Sequence, residues 1–277
     1  MAEGAASLSF DTDFDPRTGE AVDVAPSIVR VTAPNGGPFT FKGTNTFILG
    51  SGRVAVVDPG PDDDRHLAAL KAAIGSRPVE AIILTHTHRD HCALVPRLMA
   101  ETGAPLWFAG MPDEGKRRRH PFAAAVDGAG DRNLVPDRRL ADGERLSAGG
   151  LEIEVVATPG HSANHLCFGV SGTPDLLSGD HVMGWSSSVI ALPDGSLGDY
   201  LASLAKLAAL PYRRYLPAHG GPIADGPSFA RSLRMHRELR NRQVMQAIAE
   251  GARSIGALQR RIYPRLALAL LPAARMT

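Results

Sequence analysis

Two hydrophobic periods run through this chain. Ile28 to Thr32, Asn45 to Leu49, Arg53 to Val57, Ala81 to Leu84, Leu151 to Ala157 and Leu166 to Val170 are short runs that alternate or are apolar throughout. Such runs predict strands, with Ala81 to Leu84 the pattern of a buried one. Gly50-Ser51-Gly52 is a turn composition between two of them and predicts a hairpin. Pro105 to Ala109, Leu176 to Ser178 and the segment from Arg214 read as further short strands. Helical spacing appears instead at His66, Leu67, Leu70 and Ile74, at Ala93, Leu94, Leu98 and Met99, and over Leu197 to Leu210. Strands alternating with helices are what an α/β layered fold produces.

From Pro227 the pattern becomes wholly helical. Ser228 is the expected N-cap of a long helix whose stripe is Phe229, Leu233, His236, Leu239, Val244 and Ile248. Ser254 is expected to cap a shorter helix with Ile255, Leu258 and Ile262, and Leu266 to Leu271 forms a last apolar run. The expected division is a catalytic domain over residues 1–226 and a helical domain over 227–277.

Charge sharpens that division. Of 30 Lys and Arg and 29 Asp and Glu, residues 1–226 carry a balance of −7, while 227–277 carry ten Arg against Glu238 and Glu250, a balance of +8. A basic tail suits a polyanion such as single-stranded RNA, although arginine also favours helices and interfaces, so a homodimer is the other reading. Lys116 to His120 forms a second basic run, either a solvated loop or a lip that draws an anion to a site. Two cysteines, Cys92 and Cys167, are too few for a disulfide scaffold and point to a reducing, cytoplasmic setting. The acidic N-terminal stretch lacks a secretory pattern, and no apolar run approaches the roughly 20 residues that span a bilayer, so no membrane partner is expected.

The chemistry concentrates after the strand at Ala81. His86-Thr87-His88-Arg89-Asp90-His91 places two histidines two residues apart, on one side of an extended segment, where they can grip one ion. Asp90 and His91 fall where a helical period begins and approach from another direction, which suits a second ion. Asp58, at the end of the preceding strand, is either a turn-capping carboxylate or the group that orients a ligating imidazole. His66 reads as a packing or surface residue, and Cys92 as a buried small residue rather than a ligand.

His86 to His91 match in full the HxHxDH signature of the metallo-beta-lactamase superfamily, which this chain resembles. The resemblance implies a four-layer αββα sandwich with a two-metal site at one edge. It further implies that His161, on the Thr158-Pro159-Gly160 turn, completes a set with His86 and His88. Asp180 in Gly179-Asp180-His181 would bridge the two ions, and His219 would join Asp90 and His91 on the second. His181, beside the bridge, is a candidate proton donor, and His165 is either a core residue or a support for a ligand. Gly179 to Trp185 and the helical tail resemble the beta-lactamase-like protein 2 group, whose tail is a winged-helix-type domain. This chain ends at Thr277, before the residues expected to form the wing.

The implied activity is that of a binuclear hydrolase. Two zinc ions, or iron or manganese, would hold a bridging hydroxide, with Asp90 taking its proton. The expected substrate is a small ester, thioester or lactone. The alternative is a single-strand-specific endoribonuclease whose basic tail holds RNA, though aromatic residues make up 5% of the chain and leave few platforms for stacking bases.

Overall fold

The structure is a computed structural model that describes residues 8–111, 130–190 and 194–263. The runs at Lys116 to His120 and Leu266 to Leu271 lie outside the described residues.

One sheet contains seven strands in sequence order: β1 (Ala21–Ala25), β2 (Ile28–Thr32), β3 (Asn45–Leu49), β4 (Val54–Val57), β5 (Val79–Ile83), β6 (Leu106–Phe108) and β7 (Arg138–Arg139). Neighbours from β1 to β4 are antiparallel, and from β4 to β7 they are parallel. The parallel half is reached by helical crossovers: α1 (Asp64–Ile74), then α2 (Arg89–Cys92) with α3 (Val95–Thr102). The second sheet has the order β12-β11-β10-β9-β8, from β8 (Arg145–Ala148), β9 (Leu151–Ala157), β10 (Leu166–Val170), β11 (Asp175–Gly179) and β12 (Arg214–Pro217). Helices α4 (Leu197–Leu207), α5 (Gly226–Ala249) and α6 (Ile255–Ile262) follow.

Alternation along the strands accounts for the layers. In β4, Ala55 and Val57 face the second sheet, where they meet Ile153, Val155, Phe168 and Leu177, while Val54 and Val56 face α1 and α3. In β5, Ala81 and Ile83 point inward and Ile82 outward in the same way. A third cluster covers the far face of the second sheet, where Val156, Cys167 and Leu176 pack on Tyr200, Leu204 and Leu207 of α4 and on Ala230 and Leu233 of α5. Each large side chain enclosed this way contributes about 1.5–3 kcal/mol of hydrophobic stabilisation. The four layers are therefore helix, sheet, sheet, helix.

Two expectations for the C-terminal helices are corrected. The N-cap of α5 is Asp225, whose carboxylate accepts from the Ser228 N–H at 3.2 Å, rather than Ser228 itself. The buried residues are Gly226, Ala230, Leu233, Arg237 and Ala247, whereas Leu239 is 49% exposed and Ile248 39%. Leu233 and the partly buried Phe229 keep to the expected stripe, and Arg237 takes the next buried position. Ser254 does cap α6, accepting from the Ala257 N–H. No helix among the described residues is long and apolar enough to cross a membrane.

Candidate metal centre

Strand ends deliver the polar cluster to one edge of the sandwich. The segment leaving β5 carries His86 and His88, and α2 carries Asp90 and His91. The turn after β9 carries His161, Asp180 follows β11 and His219 follows β12. The turn at His161 is packed tightly, since a side chain at Gly160 (φ 145°) would place a Cβ 2.4 Å from the Tyr200 Cα. Asn45 of β3 anchors the His219 loop from across the sandwich, donating to the carbonyls of Pro217 and Gly220 at 3.0 and 2.9 Å.

The seven side chains sort into two groups, His86, His88, His161 and Asp180, and Asp90, His91 and His219. In the first, the Nε2 atoms of His86 and His161 lie 2.9 and 3.0 Å from Nδ1 of His88. In the second, Oδ2 of Asp90 lies 3.3 Å from Nε2 of both His91 and His219. Asp180 belongs to both. Its Oδ2 is 3.5 Å from His161 Nε2, and its Oδ1 is 3.5 and 3.3 Å from Nε2 of His91 and His219.

The outer ring nitrogens decide which way the lone pairs point. Asp58 Oδ2 faces His91 Nδ1 at 3.0 Å, and the carbonyls of Val189 and Gly43 face Nδ1 of His161 and His219 at 2.6 and 3.2 Å. The Thr85 hydroxyl donates to Asp58 at 2.7 Å, so it accepts from His86 Nδ1 at 3.0 Å. Each acceptor holds a proton on Nδ1, so that in the neutral imidazole the lone pair on Nε2 faces the cluster. Asp58 therefore does the orienting job considered for it, and it also accepts from the Thr85 N–H at 2.8 Å.

Electrostatics differ between the groups. Burial holds His86 well below the ordinary imidazole value and His88 down to about 3, so both are neutral. Burial opposes charge on His91 and His219 too, but Asp90 and Asp180 outweigh it for His91 and lift it well above the usual range. Asp180 and then Asp90 lift His219 to about 9. Asp90 and Asp180, whose burial alone would raise them, are held well below the ordinary carboxylate value by His91 and His219.

These residues fit divalent ions. Lone pairs from His86 and His161 converge on one nitrogen of a neutral His88, which can hold a single proton. Buried His91 Nε2, His219 Nε2 and Asp180 Oδ1 have no hydrogen-bond partner of acceptable geometry. Buried polar atoms without partners are costly, and a cation that takes the place of the second proton on His91 and His219 would complete them.

Three neighbours serve otherwise. His165 is buried, accepts from the Asp180 N–H at 3.1 Å through Nε2 and lies 2.8 Å from the Thr158 hydroxyl through Nδ1, so it holds the backbone beneath Asp180. His181 is fully buried, 4.6 Å from the Tyr200 ring, and burial drives it down to about 3. Its ring is neutral and closed off from solvent, and neither ring nitrogen has a hydrogen-bond partner, whereas the expected donor role needs an N–H that reaches the cleft. Cys92 is buried, its thiol pushed up to about 12, and it points to the Thr87 carbonyl, away from the ions' place. Sequence reasoning missed Thr85, Asn45 and the carbonyls of Gly43 and Val189. A polar residue next to each ligand is a findable sign for Thr85, but a carbonyl acceptor leaves none.

The metallo-beta-lactamase superfamily matches residues 39–219, which include every residue of both groups. Lactamase-like protein aptB of Emericella nidulans is 31% identical over 254 residues, 90% of this chain and 74% of its own length. The crystal structure of a metallo-beta-lactamase family protein from Thermus thermophilus superposes with a TM-score of 0.70 at 28% identity, covering 88% of this chain and 89% of that one. TTHA1623, solved in a di-iron-bound form, has a TM-score of 0.55 at 29% identity, covering 70% of this chain and 93% of its own. With the motif, the fold and these relatives in agreement, the chain belongs to the metallo-beta-lactamase superfamily.

Proposed function

We propose that the protein is a binuclear metal-dependent hydrolase acting on a small ester, thioester or lactone. The observation that carries this reading is Asp180, whose two carboxylate oxygens face different histidine groups. His86, His88 and His161 would hold one ion, Asp90, His91 and His219 the other, and Asp180 both. Two divalent cations there supply Lewis-acid polarisation of a carbonyl oxygen and acidify water at neutral pH. TTHA1623 was solved with two irons, which supports a paired site and keeps iron beside zinc and manganese as the native metal.

The chain's own residues then divide the remaining work. Asp90 is the more open of the two carboxylates, its side chain 30% exposed against 9% for Asp180, so it is placed to accept a proton at the cleft and return it to a leaving group. Asp180 is fixed by its own N–H bond to His165 and keeps its geometry while Asp90 works. The neutral His86 and His88 contribute lone pairs without releasing protons.

RNA is the weaker substrate reading, because much of the tail's charge is engaged within the protein. Arg231 donates to Ala208 and Ser228, Arg234 pairs with Glu238, and Arg261 pairs with Glu250. Arg253 caps the end of α5 at Ile248, and Arg237 is buried. Phosphate binding needs such groups free. Metal analysis combined with turnover on an acyl thioester, a lactone and a labelled single-stranded RNA tests the proposal. Thioester or lactone cleavage that is abolished by chelation is expected. RNA cleavage that weakens with salt, with inert esters, would replace it.

A further inference from the structure

The stripe that α5 lays against the body of the protein runs Gly226, Ala230, Leu233 and Arg237, so its fourth position is a charged side chain with 4% exposure. Burying a guanidinium is costly unless its donors are used. Arg237 Nη2 donates to the carbonyl of Ser188, its buried Nε has no hydrogen-bond partner, and its guanidinium carbon lies 5.8 Å from the centre of the Tyr200 ring. The next carbonyl along, that of Val189, is the acceptor for His161 Nδ1 at 2.6 Å. Ser188 is itself fully buried.

The other wall of this segment is α4. Tyr200 donates to the His181 carbonyl at 3.1 Å, and its backbone closes on Gly160, the residue before His161. The segment from His181 to Val189 is therefore tied at one end by Tyr200 and at the other by Arg237, and the imidazole of His161 leans on its far end. The Val189 carbonyl lies in the next peptide unit, so loss of the anchor on the Ser188 carbonyl would free Val189 to turn and would remove the acceptor that keeps the His161 proton on Nδ1. Nε2 would then carry the proton, and the lone pair facing His88 and Asp180 would be lost.

We propose that Arg237, on the C-terminal helix, is a positioning residue for His161, acting through the Ser188–Val189 backbone. The first half of α5 thus belongs to the support of the metal centre rather than to a separable binding module. The proposal rests on the two-metal reading of the site, but it makes a statement about His161 that can be examined without turnover.

The experiment uses the full chain, as wild type, R237M, R237K and the exposed control R234M, with Co2+ as the probe. Cobalt affinities are taken from chelator competition. The His161 ring is followed by 15N NMR in metal-free protein and by its paramagnetically shifted N–H in loaded protein. R237M is expected to keep one cobalt affinity and lose about tenfold in the other, the low end of what removing a ligand's orienting partner does. Its His161 should change from a single Nδ1–H form to a mixture, with R237K partway back to wild type and R234M unchanged.

A folded R237M with both affinities within about twofold of wild type and an unaltered His161 spectrum would overturn the proposal, since a packing role alone lowers stability without moving those readouts. Should R237M fail to fold, R237K replaces a two-sided fork with a single donor. Wild-type affinities and spectrum in that variant would equally overturn it. Wild-type protein that takes up no cobalt would refute the two-metal reading, while the metal-free spectrum would still report on the link from Arg237 to His161.

Discussion

Asp58→Asn is the most informative single change to the support of the site. Asp58 is buried, with 1% exposure, and its carboxylate meets three donors: the Thr85 N–H at 2.8 Å, the Thr85 hydroxyl at 2.7 Å and His91 Nδ1 at 3.0 Å. Asparagine keeps the volume, and it tolerates the left-handed backbone (φ 51°) that the position requires. An amide nevertheless offers one acceptor atom where the carboxylate offered two. If its oxygen serves the Thr85 N–H, its NH2 faces His91 Nδ1, and His91 accepts there and carries its proton on Nε2, toward the place of the metal. If its oxygen serves His91, two N–H groups meet at Thr85. The first arrangement predicts about a 10–100-fold loss of affinity for the ion held by Asp90, His91 and His219, or about 1.4–2.7 kcal/mol. The second predicts a loss of stability of about 1–3 kcal/mol from an unsatisfied buried donor. Chelator competition with Zn2+ and urea denaturation of the metal-free protein read the two quantities separately. Wild-type values of both would show that Asp58 does not orient His91.

Two further outcomes concern protons. Burial lowers His66 to about 4, with its Nε2 3.0 Å from the Thr46 hydroxyl, so it folds as the neutral imidazole. Its stabilising contribution is complete above the unfolded value near 6.5 and is lost as the pH falls from there toward 4. H66Q should therefore remove about 2 kcal/mol of the acid destabilisation seen by pH 5, as read from urea midpoints of metal-free protein, and an identical pH dependence in both proteins would count against it. His91 and His219, the latter lifted to about 9, are protonated in the metal-free chain at pH 7.5, so Zn2+ uptake should expel about two protons. Calorimetry in buffers of different ionisation enthalpy would show this as a buffer-dependent heat. A heat that is the same in all buffers would contradict it.

Much of the sandwich is legible in the sequence because β3, β4 and β5 are buried on both faces, and continuous apolar runs announce such strands. The partners at the sheet edges are not. Arg138–Arg139 is a strand only because Leu106–Phe108 supplies hydrogen bonds to it, and nothing in two exposed arginines carries that information. Arg145–Ala148 pairs with β9 through alternation too short to stand out.

The pattern of the helical tail misleads for a related reason. Leu239 and Ile248 follow the helical period yet stay exposed, because the contact with α4 ends at Arg237, whose reason for burial is a backbone carbonyl almost fifty residues away. The polar cluster is the most readable part, since histidine and aspartate at strand ends reflect their chemistry directly. What orients them is least readable, because three of the four acceptors on the Nδ1 atoms are a hydroxyl and two carbonyls that many sequences could provide.

The central claim is that one carboxylate, Asp180, joins two ion sites. Metal content per chain, measured by elemental analysis after loading with Zn2+ and gel filtration, tests it most directly in the wild type and in D180N. Two ions per wild-type chain and one or none in D180N are expected. Fewer than one ion in the wild type, or two retained in D180N at wild-type affinity, would contradict it.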